Sequence, residues 1–417
     1  MPLGASNNTL FGGTLINQKY SPLDNIVIPA GDKDFYVKLF NQRITALSNV
    51  FPKKLSLFTS AWPEPDVDTA PMVVISNNRA KWIETLLDNA VAKNKVAAFT
   101  GYNDTKTFDN GPVAWYAPLR SQRPLFIVVH HAEYAYYKKL LDGYYKNVYV
   151  VGWRVPFRKG QFGPAGFGAS RFAALELVKG LGYHKAWTVD DNVVNINGFP
   201  NRPATIEALM TGTIWGIGFS AATTNVILGA LYDGTAIFTP NAFDFTKQKP
   251  GLLQQVVLWN LDLLRDNNLN MSQYFVASNE DVSLTNYLQT NGNDERIIKA
   301  LSVIKMLPTS DTENTGAAEL GRIKSALLQF LFNLEKTTQI IKPTAPAVNL
   351  GDFVETTILP NSQDPPSPEK TTGAVHVTQS MAIEQVLAVA VSNKWAPVKI
   401  FNPYNGFVGT KVERLSG

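Results

Sequence analysis

Cysteine is absent from all 417 residues. That excludes disulfides, thiolate metal sites and cysteine nucleophiles, and it is neutral on compartment. Charge of one sign is also lacking. Lys and Arg number 38 against 34 Asp and Glu, a formal balance of +4. Such a balance suits an anionic ligand such as a nucleotide diphosphate, but no Lys/Arg run reaches the density of a nucleic-acid coat. Long apolar runs are missing too. The most apolar window, 215–232, is interrupted by Ser220, Thr223, Thr224 and Asn225. It reads as buried strand and helix rather than a membrane span, which needs about 20 mostly apolar residues. The first residues lack a basic stretch followed by an apolar one, so no signal peptide is expected. The reading therefore has no membrane partner and a cytoplasmic protein, in a host cytoplasm if phage-encoded. There is no Gly-x-Ser-x-Gly elbow, no His-Glu-x-x-His and no P-loop ending in Gly-Lys-Ser/Thr.

What is present is the composition of a folded protein, with 45% hydrophobic and 17% charged residues. The first 68 residues read as turn-rich with short strand-like pieces such as 25–29. Pro63-Glu64-Pro65-Asp66 reads as a connector, because two prolines disfavour helix and central strand. Met72–Ile75 and Val96–Phe99 read as strands flanking a helix over 78–92.

The middle of the chain is clearer. Strands are expected at 124–129, 147–152 and 186–189, with helices at 134–141 and 169–181 between them. Alternating strand and helix predicts an open, mostly parallel sheet with helices on both faces, an α/β Rossmann-like fold. Ligands in such sheets sit beyond the carboxyl ends of the strands. His130, Gly152 and Asp190 fall at such ends. Further on, 213–219 reads as a strand, 252–267 as a helix, 274–277 as a strand, and 281–288 as the start of a helix. The stretch 297–307 reads as strand or helix, and 320–334 as an amphipathic helix. Residues 341–372 read as a Pro-, Thr- and Ser-rich arm, and 380–391 as a last helix. Three units are expected: an α/β extension over 1–119, read either as an appendage or as a peripheral extension of the same sheet, a core over 120–310, and a helix, arm and terminal helical segment over 311–417.

Asp190-Asp191-Asn192 is the strongest chemical signal. Adjacent carboxylates at a strand end repel unless something positive lies between them. Mg²⁺ or Mn²⁺, held by Asp190 and Asp191 and a substrate diphosphate, would do that and would neutralise a leaving nucleotide. A solvated turn or helix cap is the plain alternative. Glu280-Asp281 is a second acidic pair at the opening of a helix, where one carboxylate can accept a proton from an acceptor hydroxyl. Here Ser278 or Asn279 as a cap, with acids complementing the dipole, is the plain alternative. Gly160 to Arg171 is a glycine-rich loop entering a helix, so its backbone N–H groups, Gly168 included, suit a phosphate and Arg171 can pair with it. His130 is a candidate donor contact or a packing residue. Its adjacency to His131 makes a joint metal site poor.

Gly166-Phe-Gly-Ala-Ser-Arg171, followed by Trp187-Thr-Val-Asp-Asp-Asn192, resembles the core of the TET/JBP-associated glycosyltransferases, a branch of the GT-A enzymes. Ser278-Asn-Glu-Asp-Val282 resembles the later acidic motif of GT-A folds. The resemblance spans about 120–310. It implies metal-dependent transfer from a UDP-sugar, with Asp190 and Asp191 on the metal and the ribose or sugar, Arg171 on the diphosphate, and Glu280 or Asp281 near the acceptor. It also raises a hydroxymethylated pyrimidine in DNA as an acceptor. Two other readings stand beside it. One is a non-catalytic phage or viral assembly protein that kept a nucleotide-binding fold. The other is a toxin that glycosylates a protein.

Overall fold

The computed structural model describes residues 33–50, 55–62, 66–93, 115, 123–141, 146–155, 163–196, 206–219, 253–290, 296–297, 303–305, 311, 315–342 and 345–353, most of 379–402, and 411–414. Nine strands form its main sheet: β1 (Ser56–Thr59), β2 (Met72–Ile75), β3 (Leu125–His130), β4 (Val148–Arg154), β5 (Lys185–Asp190), β7 (Gly216–Phe219), β8 (Val256–Asn260), β9 (Arg296–Ile297) and β13 (Lys411–Arg414). Their order is β13-β1-β4-β3-β2-β5-β8-β7-β9. The four central strands, β4-β3-β2-β5, are parallel, and β8 and β1 flank them antiparallel. The fold is thus the α/β, Rossmann-like sheet expected from the alternating pattern.

Central strands buried on both faces read as unbroken apolar runs. Leu125–His130 is buried at every position. Alternate side chains feed two cores. Val73, Phe126, Val128 and Ala186 join one, with α1 (Lys33–Val50), α4 (Phe167–Gly180), α6 (Glu280–Thr290) and α7 (Thr315–Glu335). Val74, Ile127, Val129, Trp187 and Val189 join the other, with α2 (Ala80–Lys93) and α3 (His131–Leu141). The chain order makes β2 and β5 adjacent, while the connection after β2 leads away through β3 and β4. Between β2 and β5 the direction of winding reverses, and sheets of this kind bind ligands beyond the carboxyl ends of the strands at such a point.

Strand β2 lies between β3 and β5 in this sheet. Several elements differ from expectation. Residues 33–50, in the stretch read as turn-rich, form a five-turn helix burying Phe35, Tyr36, Leu39, Phe40, Arg43, Ala46, Leu47 and Val50. The helix expected over 252–267 is strand β8 followed by a short helix, α5 (Leu261–Asp266). Asn260 ends the strand, and its side chain caps the helix by accepting from the N–H of Leu263. Residues 274–277, expected as a strand, are irregular. Their backbone groups are taken by side chains rather than by a ladder. β6 (Val193–Ile196) and β10 (Val303–Lys305) pair antiparallel outside the main sheet. In the expected arm, 341–342 and 345–349 belong to an antiparallel strand pair, β11 (Gln339–Lys342) with β12 (Ala345–Asn349). The expected strands at 25–29 and 96–99, and Pro63–Pro65, lie outside the described residues. No helix among the described residues is long and apolar enough to cross a membrane.

Candidate active site

Successive residues of a strand point to opposite faces, and this separates the two aspartates. Asp190 continues the face of Ala186 and pairs with Arg171 of α4, Nη2 to Oδ1 at 2.7 Å. Asp191 continues the face of Trp187 and Val189 and turns toward α2 and α3. There its Oδ2 accepts from the Ser76 hydroxyl at 2.7 Å and its Oδ1 from Arg79 Nη1 at 2.5 Å. In this arrangement the two carboxylates meet different partners. The repulsion between them is relieved by two arginines on opposite faces of the sheet.

Arg171 gathers the other predicted acids. Its Nη1 donates to Glu280 Oε1, and to Asp281 Oδ2 at 3.2 Å. One guanidinium thus joins a strand end, a helix start and an acidic pair about a hundred residues further on. Glu280 is 2% exposed, and its Oε2 has no hydrogen-bond partner. Burial raises the Glu280 pKa, Arg171 opposes the rise and Asp281 adds to it. Asp281 differs, because its Oδ1 accepts from the N–H of Val282.

Gly168 and His130 have structural work. A Cβ on Gly168 would stand 1.9 Å from the carbonyl oxygen of Phe275, and one on Gly166 would stand 2.2 Å from that of Val276. Gly166 also has φ +148°. These glycines let α4 touch the 272–276 backbone. His130 is 3% exposed. Its Nδ1 accepts from the N–H of Ala132 at 3.3 Å, and its ring meets Trp153 edge-on at 4.8 Å. Burial lowers its pKa to about 3, with His131 adding to the fall and a hydrogen bond to the Pro164 carbonyl opposing it.

The turn after β2 was not singled out in the sequence. Asn77 Nδ2 and the N–H of Asn78 both donate to Glu133, at 2.7 and 2.8 Å. Burial raises the Glu133 carboxyl to about 7, against these two bonds. Tyr137 Oη lies 2.8 Å from Ser76 Oγ and accepts from the N–H of Arg79. Asn78 has φ 55°, a conformation asparagine tolerates. The only sequence signal was the polar run Ser76-Asn77-Asn78-Arg79 closing an apolar strand.

The cluster around Arg171 offers oxygen donors, and its three carboxylates formally outweigh the single guanidinium. A hard divalent cation fits such a set, since Mg²⁺ takes one or two carboxylates together with substrate phosphates. No closed cage of three Asp, Glu or His side chains occurs among the described residues. Of the three carboxylates Asp190 is the most exposed, so it is the one that could reach such an ion.

No family model matches the chain, and no curated protein matches it by sequence. Solved structures align with it at low similarity. Glucosyl-3-phosphoglycerate synthase from Mycobacterium tuberculosis, in complex with Mn²⁺, UDP and glucosyl-3-phosphoglycerate, is 12% identical, with 68% of this chain and 88% of that chain covered and a TM-score of 0.30. For 4-diphosphocytidyl-2C-methyl-D-erythritol synthase from Anaerococcus prevotii DSM 20548 the values are 13%, 61%, 97% and 0.30. For the apo structure of WbbM, a bifunctional glycosyltransferase, they are 11%, 75%, 52% and 0.25. The α/β assignment of this chain rests on its own sheet order.

Proposed function

We propose that this chain is a nucleotide-sugar-dependent glycosyltransferase of the GT-A type, with its donor at the carboxyl ends of β2 and β5. One observation carries the proposal. Arg171, Asp190, Glu280 and Asp281 converge from three separate segments beside the strand end at which an open parallel sheet reverses its winding. The resemblance to the TET/JBP-associated glycosyltransferases supports it, because the Gly-Ala-Ser-Arg helix start and the Asp-Asp-Asn strand end meet through Arg171 and Asp190. In this proposal the catalytic unit begins with β1 and β2, ahead of residue 120, and runs through α6.

In the reaction proposed, Arg171 turns part of its guanidinium from a carboxylate to the donor diphosphate. Asp190 faces the ribose and diphosphate. Mg²⁺ or Mn²⁺, held by Asp190 and the diphosphate, would supply charge neutralisation to the leaving UDP. Glu280 is the base, since its Oε2 is unpartnered and burial strengthens its hold on a proton. An acceptor hydroxyl gives its proton to that oxygen as it bonds to the sugar's C1. The bond from C1 to the phosphate oxygen breaks on the opposite side, which inverts the anomeric centre. On the strength of the resemblance, the acceptor class to try first is hydroxymethylated pyrimidine in DNA.

The test is thermal stability with UDP, UDP-glucose and UDP-N-acetylglucosamine, with and without Mn²⁺, followed by UDP release. A ligand that binds only the folded state at 100 times its Kd stabilises by about 2.7 kcal/mol. A metal-dependent rise that Arg171→Ala abolishes is expected. No response to any of these ligands, with or without metal, refutes the proposal.

A further inference from the structure

The irregular segment before α6 has no strand partner, yet its backbone N–H groups are buried. Those of 276–278 converge on one side chain. The carboxylate of Glu384, from the C-terminal helical stretch within 379–391, accepts from the N–H of Val276 at 2.7 Å, Ala277 at 2.9 Å and Ser278 at 2.5 Å. Three successive amides around one anion form a nest. Glu384 is in turn fixed by Arg43 of α1, Nη1 to Oε1 at 2.6 Å. Arg43 also grips Glu335 at the end of α7, with Nε and Nη2 on the two carboxylate oxygens at 2.7 and 2.9 Å, and donates to the carbonyl of Tyr274 at 3.0 Å. All three side chains are fully buried. The next residues along the chain are Asn279, at φ 62°, and the acidic pair Glu280-Asp281.

We propose that Glu384, anchored by Arg43, is a positioning residue that sets where Glu280 and Asp281 stand against Arg171. This rests on the glycosyltransferase reading for its catalytic consequence. The reasoning is geometric. A buried ion network is a poor source of stability compared with apolar packing, whereas fixing a backbone is something only polar groups achieve. Locally, Ser272 accepts from the N–H groups of Tyr274 and Phe275, but the amides of 276–278 are held from a distance. Their shape is imposed by groups from α1, α7 and the C-terminal stretch, and the chain leaves the nest directly into the acidic pair. Helix α1, the end of α7 and the stretch that carries Glu384 are thereby parts of the active site's framework. The charged groups gathered here are Arg43 from α1, Lys324 and Glu335 from α7, Glu384, and Arg171, Glu280 and Asp281 of the site. Lys324 interacts electrostatically with both Glu384 and Glu280.

The experiment compares the full chain with Glu384→Gln, using hydrogen exchange by mass spectrometry, UDP binding with Mn²⁺, and steady-state turnover. Glutamine keeps the shape and one acceptor but loses the charge that holds Arg43. Exchange protection is expected to fall at 276–278 and also through 279–283. The kcat is expected to drop by about 100-fold, the scale on which a displacement of about 1 Å costs rate, with the UDP Kd within about threefold of wild type. Loss of protection confined to 276–278, or a wild-type kcat with lowered thermal stability alone, overturns the proposal. If the wild-type chain neither binds UDP nor turns over, the glycosyltransferase reading fails, while the exchange pattern still decides whether Glu384 positions the acidic pair. Arg43→Lys, which keeps a charge on Glu384 and loses the bidentate grip on Glu335, is expected to give the same pattern at smaller amplitude. It serves as the test should Glu384→Gln not fold.

Discussion

Replacing each of two adjacent aspartates by asparagine should have unlike consequences, because strand alternation sends them to different faces. Asp191 accepts one bond from Arg79 and one from Ser76. Charge-assisted bonds are worth about 1.5–3 kcal/mol each, and asparagine can keep only one acceptor. Arg79 is 21% exposed, so water recovers part of the loss. The expected cost of Asp191→Asn is about 2–3 kcal/mol, with donor binding retained. Asp190→Asn removes one of three carboxylates on Arg171, which keeps Glu280 and Asp281. Its expected cost is below about 1 kcal/mol, together with loss of the metal-dependent response to UDP. Urea denaturation supplies the first quantity, since a shifted midpoint at constant slope reports stability. The UDP thermal shift supplies the second. A wild-type midpoint in Asp191→Asn combined with loss of UDP binding would refute the reasoning, because Asp191 would then be a ligand rather than a structural partner.

Other perturbations separate packing from chemistry. Glu280→Gln should lower kcat by about 100-fold or more, the usual range for a general base, while UDP binding persists; unchanged kcat would remove Glu280 from that role. Gly168→Ala should destabilise by about 3 kcal/mol or prevent folding, since its Cβ would meet a backbone oxygen that cannot turn aside, and circular dichroism and expression yield report it. His130 adds an acid sensitivity. Its folded pKa of about 3 lies below the ordinary 6.5, so below pH 6.5 only the unfolded chain takes up its proton. Stability falls as pH drops from 6.5 toward 3, by up to about 1.4 kcal/mol per pH unit. Glu133, raised to about 7, acts in the opposite direction between pH 4.5 and 7. His130→Gln should accordingly flatten the acid limb of urea midpoints below pH 6.5, and an unaltered limb would mean that His130 is protonated in the fold.

The legible part of this fold is the part whose physics is local. Buried parallel strands betray themselves as runs such as Leu125–Val129, and the strand ends they fix brought Asp190 and His130 to the carboxyl edge from sequence alone. Helix α1 was legible in principle, because Phe35, Leu39, Arg43, Ala46 and Val50 recur at helical spacing. Arg43 in the middle of that stripe hides it, since a charge on a buried face makes sense only with Glu335 and Glu384 beside it. Strand β8 and α5 were read together as one helix because Val256–Leu264 is apolar almost throughout, and periodicity does not separate a fully buried strand from a buried helix. The site follows the same division. That Arg171 and Asp190 matter could be read from their motifs, but that Asp191 faces the other way depends on strand parity, which is fixed only by knowing which face α4 covers. The irregular shape of 274–278 is the least local feature of all. Its hydrogen-bond partner lies 106–108 residues away, so a Tyr-Phe-Val-Ala run that promises a strand by composition is bent instead into the turn that delivers Glu280 to Arg171.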